Sequence, residues 1–239
     1  MPRRHAPGGF IFHVMNRAIA GTQLFPHPED YQAFEAIMAE AFRRVPMRLL
    51  AYCLMPNHWH MMLWPFADGD LSRHMHWLTM THARRLRRYR DTPGRGHVYQ
   101  GPFKAFPIEM AGGVICVGRY IERNALTANL VPRAEEWRFG SLWRRMNPHI
   151  NDGVPPLFEW PVIRPTDWID LVNEPQNKKE IDAIRLSVAR GRPFGPPEWQ
   201  ERVAAQLKIE HSMRVRGRPP KKTPGVIISP SVIVPRGII

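Results

Sequence analysis

Residues 48–64 read Arg48-Leu-Leu-Ala-Tyr-Cys-Leu-Met-Pro-Asn-His-Trp-His-Met-Met-Leu-Trp64. Two apolar runs flank a short break at Pro56-Asn57. Runs of this length with Pro and Asn between them predict two strands joined by a tight connection. Just after the break stand His58, Trp59 and His60. Side chains alternate along a strand, so His58 and His60 share one face and Trp59 points to the other. Two imidazoles on one sheet face can grip a metal ion, His being a common metal ligand. The competing reading is two polar residues at a strand start on a solvated face.

The chain carries a control for this motif. His74-Met75-His76 has the same form but lies in Leu71–Arg90, a polar, basic stretch without β-branched alternation that predicts a helix. On a helix, positions i and i+2 do not face each other, so that pair cannot chelate. The strand context of His58 and His60 therefore carries the weight.

Length allows one sizeable core and an appendage. No apolar run reaches the roughly 18 residues needed to span a bilayer, so no membrane partner is expected. The first residues hold no apolar stretch of a secretory signal, and a cytoplasmic protein is expected. Cys53 and Cys116 both sit in apolar segments and are expected as buried free thiols. The formal net charge of +13 favours a polyanionic partner, and nucleic acid before membrane. Basic residues cluster at Arg43-Arg44, across Arg84–Arg90, at Arg144-Arg145 and near the C-terminus.

Working outward, Gly9–Arg17 alternates loosely and predicts a first strand. Pro28–Val45 carries Tyr31, Phe34, Ile37, Met38, Ala41 and Phe42 at helical spacing, with Pro28 near its start and Pro46 just past its end. The two strands of the opening stretch follow, then the helix Leu71–Arg90. A fourth strand is expected from about Phe103. Gly112-Gly113 opens a third helix to about Asn129. Tyr120 and Asn124, four apart, share one face of it. The first six elements give an α+β fold: the ferredoxin-like split βαβ antiparallel sheet with helices on one face. The third helix is an addition that covers or flanks the site. Residues 1–146 form this domain, 147–211 a helical, basic extension (helices at Asp167–Glu174, Lys178–Arg190 and Pro197–Lys208), and 212–239 a basic, flexible tail.

Two strand imidazoles and the amide oxygen of Asn124 make three neutral ligands and leave positions open for water and phosphate oxygens. That set suits Mg²⁺ or Mn²⁺. A Tyr120 phenolate is then a candidate nucleophile that would split strand exchange into two transesterifications, against the commoner reading of a tyrosine as a structural ring.

At this point the motifs resemble a known family. Met55-Pro-Asn-His-Trp-His60 is similar to the signature of HUH single-strand DNA endonucleases. Tyr99-Gln-Gly-Pro-Phe-Lys-Ala-Phe106, Arg119-Tyr-Ile-Glu-Arg-Asn124, Ala128-Asn-Leu-Val131 and Ala134-Glu-Glu-Trp-Arg-Phe-Gly-Ser141 follow in order. Together they resemble the REP-associated tyrosine transposases over about residues 5–145. The resemblance implies that His58, His60 and Asn124 hold the divalent ion. It implies that Tyr120 attacks single-stranded DNA beside a REP-like hairpin, keeping the 5′ phosphate and freeing a 3′ hydroxyl. Three departures stand out: Asn124-Ala125-Leu126 where the family has Asn-Pro-Val, Pro102 in place of an arginine, and Trp137-Arg-Phe-Gly140-Ser141 for a Trp-aromatic-Ser-Ser element.

DNA contacts are expected from Arg84, Arg85, Arg87, Arg88 and Lys104, and from the tail. There, Arg216-Gly217-Arg218-Pro219 resembles an AT-hook core suited to a narrow A·T minor groove. Trp64, Trp77 and Tyr99 are candidate stacking platforms for single strands. A monomer is expected. The competing function is a hairpin-binding module without catalysis; a third is a metal-dependent hydrolase with water as nucleophile.

Overall fold

The structure, a computed structural model, describes residues 6–90, 96–150 and 153–214. Arg216, Arg218 and most of the proposed tail lie outside the described residues. Four strands form one sheet: β1 (Ile11–Arg17), β2 (Met47–Met55), β3 (His58–Pro65) and β4 (Lys104–Ile108). Their order is β2-β3-β1-β4, all neighbours antiparallel. Helix α1 (Pro28–Arg44) joins β1 to β2, and α2 (Asp70–Tyr89) joins β3 to β4. This is the expected split βαβ arrangement.

Alternation along the strands builds two cores. Phe12, Val14, Tyr52, Leu54, Trp59, Met61 and Leu63 face α1 and α2. The apolar spacing of α1 serves this core, and its first turn is held by Asp30, whose carboxylate accepts the His27 N–H at 3.0 Å. Trp59 is fully buried. Its indole donates to the Tyr99 hydroxyl at 3.2 Å, and that hydroxyl lies 2.6 Å from His82 Nδ1 on α2. The strand carrying the His-Trp-His triplet is thereby fixed from behind. Tyr99 is buried, so it is not available as a stacking platform, contrary to the sequence expectation. Trp64 and Trp77 are covered by the guanidinium groups of Arg48 and Arg44, at 4.3 and 4.9 Å.

Helices α1 and α2 share one face of the sheet, as expected, and the added third helix covers the site on the other. Helix α3 (Gly112–Glu122) packs Val114, Val117 and Ile121 against Ile11, Cys53, Met62 and Phe106 on the second face. The expected continuous helix to Asn129 breaks at Arg123, with a short α4 (Asn124–Thr127) beyond it. The Asn124 side-chain amide donates to the Tyr120 carbonyl at 3.1 Å. Such local bonding by Asn competes with regular helix.

The rest of the described chain closes this second layer. Helices α5 (Ser141–Met146), α6 (Trp168–Asn173), α7 (Lys178–Arg190) and α8 (Pro197–Gln206) follow α4. Gly191 takes φ 72° and ends α7, which accounts for the Arg190-Gly-Arg-Pro193 stretch as a turn. Trp160, Trp168, Val172 and Ile184 enter the α3 core. A register shift between Leu49 and Ala51 turns the Leu50 carbonyl out of the ladder, where the Trp160 indole (2.8 Å) and Arg145 (2.5 Å) satisfy it. Both sheet edges are covered. Phe139 accepts the Leu54 N–H and the Phe158 N–H donates to Leu49 on β2, while Phe194 bonds to Pro107 and Glu109 at β4. Covered edges offer no template for a foreign strand.

Candidate active site

The face of the sheet under α3 carries the polar residues. Register places Lys104, Met15, His60 and Cys53 in one row across the four strands, with Arg17, His58 and Met55 in the next. His13 lies one step further along β1, opposite Phe106 and Met62. His58 and His60 therefore share a face, with ring centroids 5.0 Å apart. Helix α3 lowers Tyr120 onto them, its ring 5.7 Å from His60 and perpendicular to it. The Asn124 amide interacts with both the His58 imidazole and the Tyr120 hydroxyl. The structure thus brings together all four residues singled out by the sequence.

Each histidine is held by its Nδ1. His58 Nδ1 lies 2.6 Å from Asn57 Oδ1 in the β2–β3 turn. His60 Nδ1 lies 2.8 Å from His13 Nε2. An amide oxygen can only accept, so Asn57 fixes the Nδ1–H form of His58 and leaves its Nε2 lone pair free. Burial, with Arg17 adding to it, pushes His58 down to about 4, so its ring is neutral near pH 7. Burial also holds His60 well below its ordinary value and His13 down to about 3. Neutral imidazoles are what metal coordination requires. Among the described residues no group of three or more His, Cys, Asp or Glu is arranged to hold a metal. The donors that could hold an ion here are the two imidazoles and the Asn124 amide oxygen, a neutral set.

Burial raises the Tyr120 hydroxyl above its ordinary value, while Arg185, Asn124 and Arg17 pull it back. These cations were not expected as site residues. Arg17 could have been found only from the β1–β3 register, which sets it opposite His58. Arg185 comes from α7, and nothing in its local sequence points to Tyr120. His13 falls within the predicted first strand, and only the β1–β3 register brings it to His60.

The expected DNA contacts divide. Arg84, Arg87 and Arg88 line a groove of about 1120 Å³ between α2 and residues 97–103, with His76, His97 and Phe103. Pro102 also lines it. Arg85 does not: it forms a two-pronged ion pair with Glu40 of α1 at 2.6 and 2.9 Å. Lys104 is exposed at the start of β4, in the row of His60. Asn16 lines the groove and the next residue, Arg17, faces His58, so alternation along β1 sets the groove on the α2 side of the sheet and the site on the other. His74 is buried against the Val45 carbonyl at 2.9 Å, whereas His76 is exposed. The second His-apolar-His triplet is split between core and solvent.

The sheet thus carries His-Trp-His on one strand, beneath the helical segment that brings Tyr120 and Asn124. Residues 9–124 match the family described as "Transposase IS200 like". A solved structure described as a REP-associated tyrosine transposase bound to a REP hairpin shares the fold. It is 18% identical with a TM-score of 0.52, over 67% of this chain and 94% of that one. No curated protein matches the chain. No described helix is long and apolar enough to cross a membrane.

Proposed function

We propose that the protein is a metal-dependent endonuclease and strand transferase for single-stranded DNA next to a hairpin, acting through a covalent 5′-phosphotyrosine at Tyr120. The observation that carries this reading is the meeting of Tyr120, Asn124, His58 and His60 on one sheet face. The IS200-like match and the hairpin bound by the solved neighbour support it. His58, His60 and Asn124 would hold Mg²⁺ or Mn²⁺, which supplies polarisation of the scissile phosphodiester and neutralises charge developing on it.

The chain's own residues do the rest. Asn124 orients the Tyr120 hydroxyl and links it to His58. The Tyr120 oxygen attacks phosphorus; a tyrosyl O–P bond forms and the P–O3′ bond breaks. The phenolic proton is lost and the departing 3′ oxygen gains one, so the step is balanced and needs no external energy source. Attack by a second 3′ hydroxyl reverses the exchange and rejoins strands. Arg17 and Arg185 place positive charge beside the reacting hydroxyl. Arg84, Arg87 and Arg88 give a track for hairpin phosphates on the α2 side of the sheet. Phosphate contacts position the DNA without reading its sequence. Pro102 on the groove wall offers no side-chain donor to a base.

The test mixes the protein, Mn²⁺ and a labelled hairpin oligonucleotide from the flank of its own gene, then runs a denaturing gel. A protein–DNA adduct is expected, and Tyr120→Phe abolishes it while still binding the hairpin. No adduct with any flanking hairpin sinks the proposal in favour of a binding module. Continued cleavage by Tyr120→Phe points instead to water as nucleophile.

A further inference from the structure

His13 is the polar group in this site that the proposed chemistry does not use. Its side chain is fully enclosed and His60 is 2% exposed. Its Nε2 lies 2.8 Å from His60 Nδ1. Its other nitrogen, Nδ1, is buried with no hydrogen-bond partner, and its ring rests 4.8 Å from that of Phe106. A buried, half-satisfied polar group in a core is costly and calls for a reason. An apolar side chain would remove the unpaired Nδ1 but would leave the buried His60 Nδ1 without its partner.

The reason lies in where one proton sits. Only one of the two facing nitrogens can carry the hydrogen of the His13–His60 bond. If His13 Nε2 carries it, neutral His60 is protonated at Nε2 and cannot ligate an ion. If His60 Nδ1 carries it, the His60 Nε2 lone pair is free. His13 then takes its own proton at the unpartnered Nδ1. We propose that His13 is a positioning residue: it accepts the His60 Nδ1–H bond and so holds His60 in the tautomer and orientation that present Nε2 to the divalent ion. Asn57 does the same for His58, from the surface. Outer partners of this kind commonly set metal affinity by tenfold to a hundredfold. Burial separates the two cases. Water replaces Asn57 when it is removed, whereas no solvent reaches His60 Nδ1.

This inference rests on the proposed metal site, so the experiment separates the two. Mn²⁺ binding is titrated by electron paramagnetic resonance, without DNA and again with a hairpin oligonucleotide in the Tyr120→Phe background. Wild type, His58→Ala, His13→Leu, His13→Met, His13→Gln and Asn57→Ala are compared, with folding checked by circular dichroism. His58→Ala loses the site. His13→Leu and His13→Met weaken Mn²⁺ by about tenfold to a hundredfold. His13→Gln, whose amide oxygen stands near the position of Nε2, stays close to wild type, and Asn57→Ala, where water takes over the Nδ1 contact, loses less than the apolar His13 variants. In Mg²⁺-loaded wild-type protein, ¹⁵N imidazole spectra show His60 protonated at Nδ1. If His13→Leu or His13→Met binds Mn²⁺ like wild type, or His60 is protonated at Nε2 in the loaded protein, the role of His13 is refuted while the site stands. If both apolar variants fail to fold, loss of binding in well-folded His13→Gln refutes it, and retention with the Nδ1–H tautomer supports it. If neither wild-type titration shows a site that His58→Ala removes, the metal reading falls and this inference with it.

Discussion

Gly118 lies two residues before Tyr120 on α3, at the closest approach of that helix to Trp160. A Cβ added there would stand 2.2 Å from Trp160 Cη2 and 2.9 Å from Cζ2 and Cζ3. The indole cannot simply swing aside. It donates to the Leu50 carbonyl at 2.8 Å and packs edge-on against Trp168 at 5.2 Å. Gly118→Ala therefore forces α3 outward or breaks the indole bond. Overpacking of a core costs about 1–3 kcal/mol. Loss of the indole bond adds about 1 kcal/mol. Against this, Ala is favoured over Gly inside a helix by about 1 kcal/mol. The net expectation is a loss of about 1–3 kcal/mol, read as a lower midpoint in guanidinium unfolding. The sharper reading is a double-mutant cycle with Trp160→Phe, which removes the ring atoms in question. In that background Gly118→Ala becomes neutral or stabilising. Moving α3 also moves Tyr120, and displacements near 1 Å can cost about a hundredfold in rate, so adduct formation falls although no site residue is changed. The reasoning is refuted if Gly118→Ala is neutral in the wild-type chain, or costs the same with Phe at position 160.

Glu122 is buried and accepts from Ser141 at 2.6 Å and from the Trp168 indole at 2.7 Å, with Arg145 3.5 Å away. Glu122→Ala strands Arg145 and two donors and is expected to cost about 3–5 kcal/mol in chemical denaturation, with Glu122→Gln costing less. Burial lowers His74 to about 4 and His82 to about 3. The unfolded chain then binds protons below about pH 6.5 that the native state refuses, so stability is fully present above that pH and falls as pH drops. Each group contributes about 1.4 kcal/mol per pH unit in that window. Denaturation midpoints between pH 7 and 5 measure this slope, and His82→Gln must flatten it. Arg84→Gln and Arg88→Gln weaken hairpin binding and each reduce the salt slope by about 0.9. Arg85→Gln leaves both unchanged and costs less than about 1 kcal/mol of stability, because its pair with Glu40 is a partly exposed one.

The strand character of residues 48–64 was legible because an apolar run broken by Pro-Asn has few other solutions. The helical spacing of Tyr120 and Asn124 was legible because periodicity is local. What escaped depends on contacts distant in sequence. His13 faces His60 across 47 residues, a relation fixed only by the β1–β3 register. Arg85 looked identical to Arg84 and Arg88 in a basic run, and its partner Glu40 lies on another helix. Tyr99 sits in a motif that reads as surface loop, yet Trp59 and His82 draw its hydroxyl inside. The break at Arg123 coincides with the Asn124 side-chain bond to the Tyr120 carbonyl, which helical spacing does not encode.

The motif Arg119-Tyr-Ile-Glu-Arg-Asn124 shows how tightly the site depends on the chain beyond it. Tyr120 and Asn124 face the histidines, and Ile121 fills the core. Arg119 donates to the Glu174 carbonyl at 3.0 Å and Arg123 to the Val172 carbonyl at 2.7 Å, so both arginines grip α6. Glu122 grips Trp168 of the same helix. A chain ending at Met146 loses these partners together with Trp160 and the strand-edge bonds of Phe158 and Phe194. Its α3 would keep Tyr120 but lose what holds that helix over the sheet; the β4 edge and the Leu49 end of β2 would be open to other strands, with only Phe139 still covering β2 at Leu54. Such a truncation is expected to aggregate or unfold at a much lower temperature, whereas one ending at Arg214 retains every contact described above and melts like the full chain. If residues 1–146 give a monomer with the melting temperature and adduct yield of the whole protein, the extension is an appendage, and the account of α3 as a helix clamped from behind is wrong.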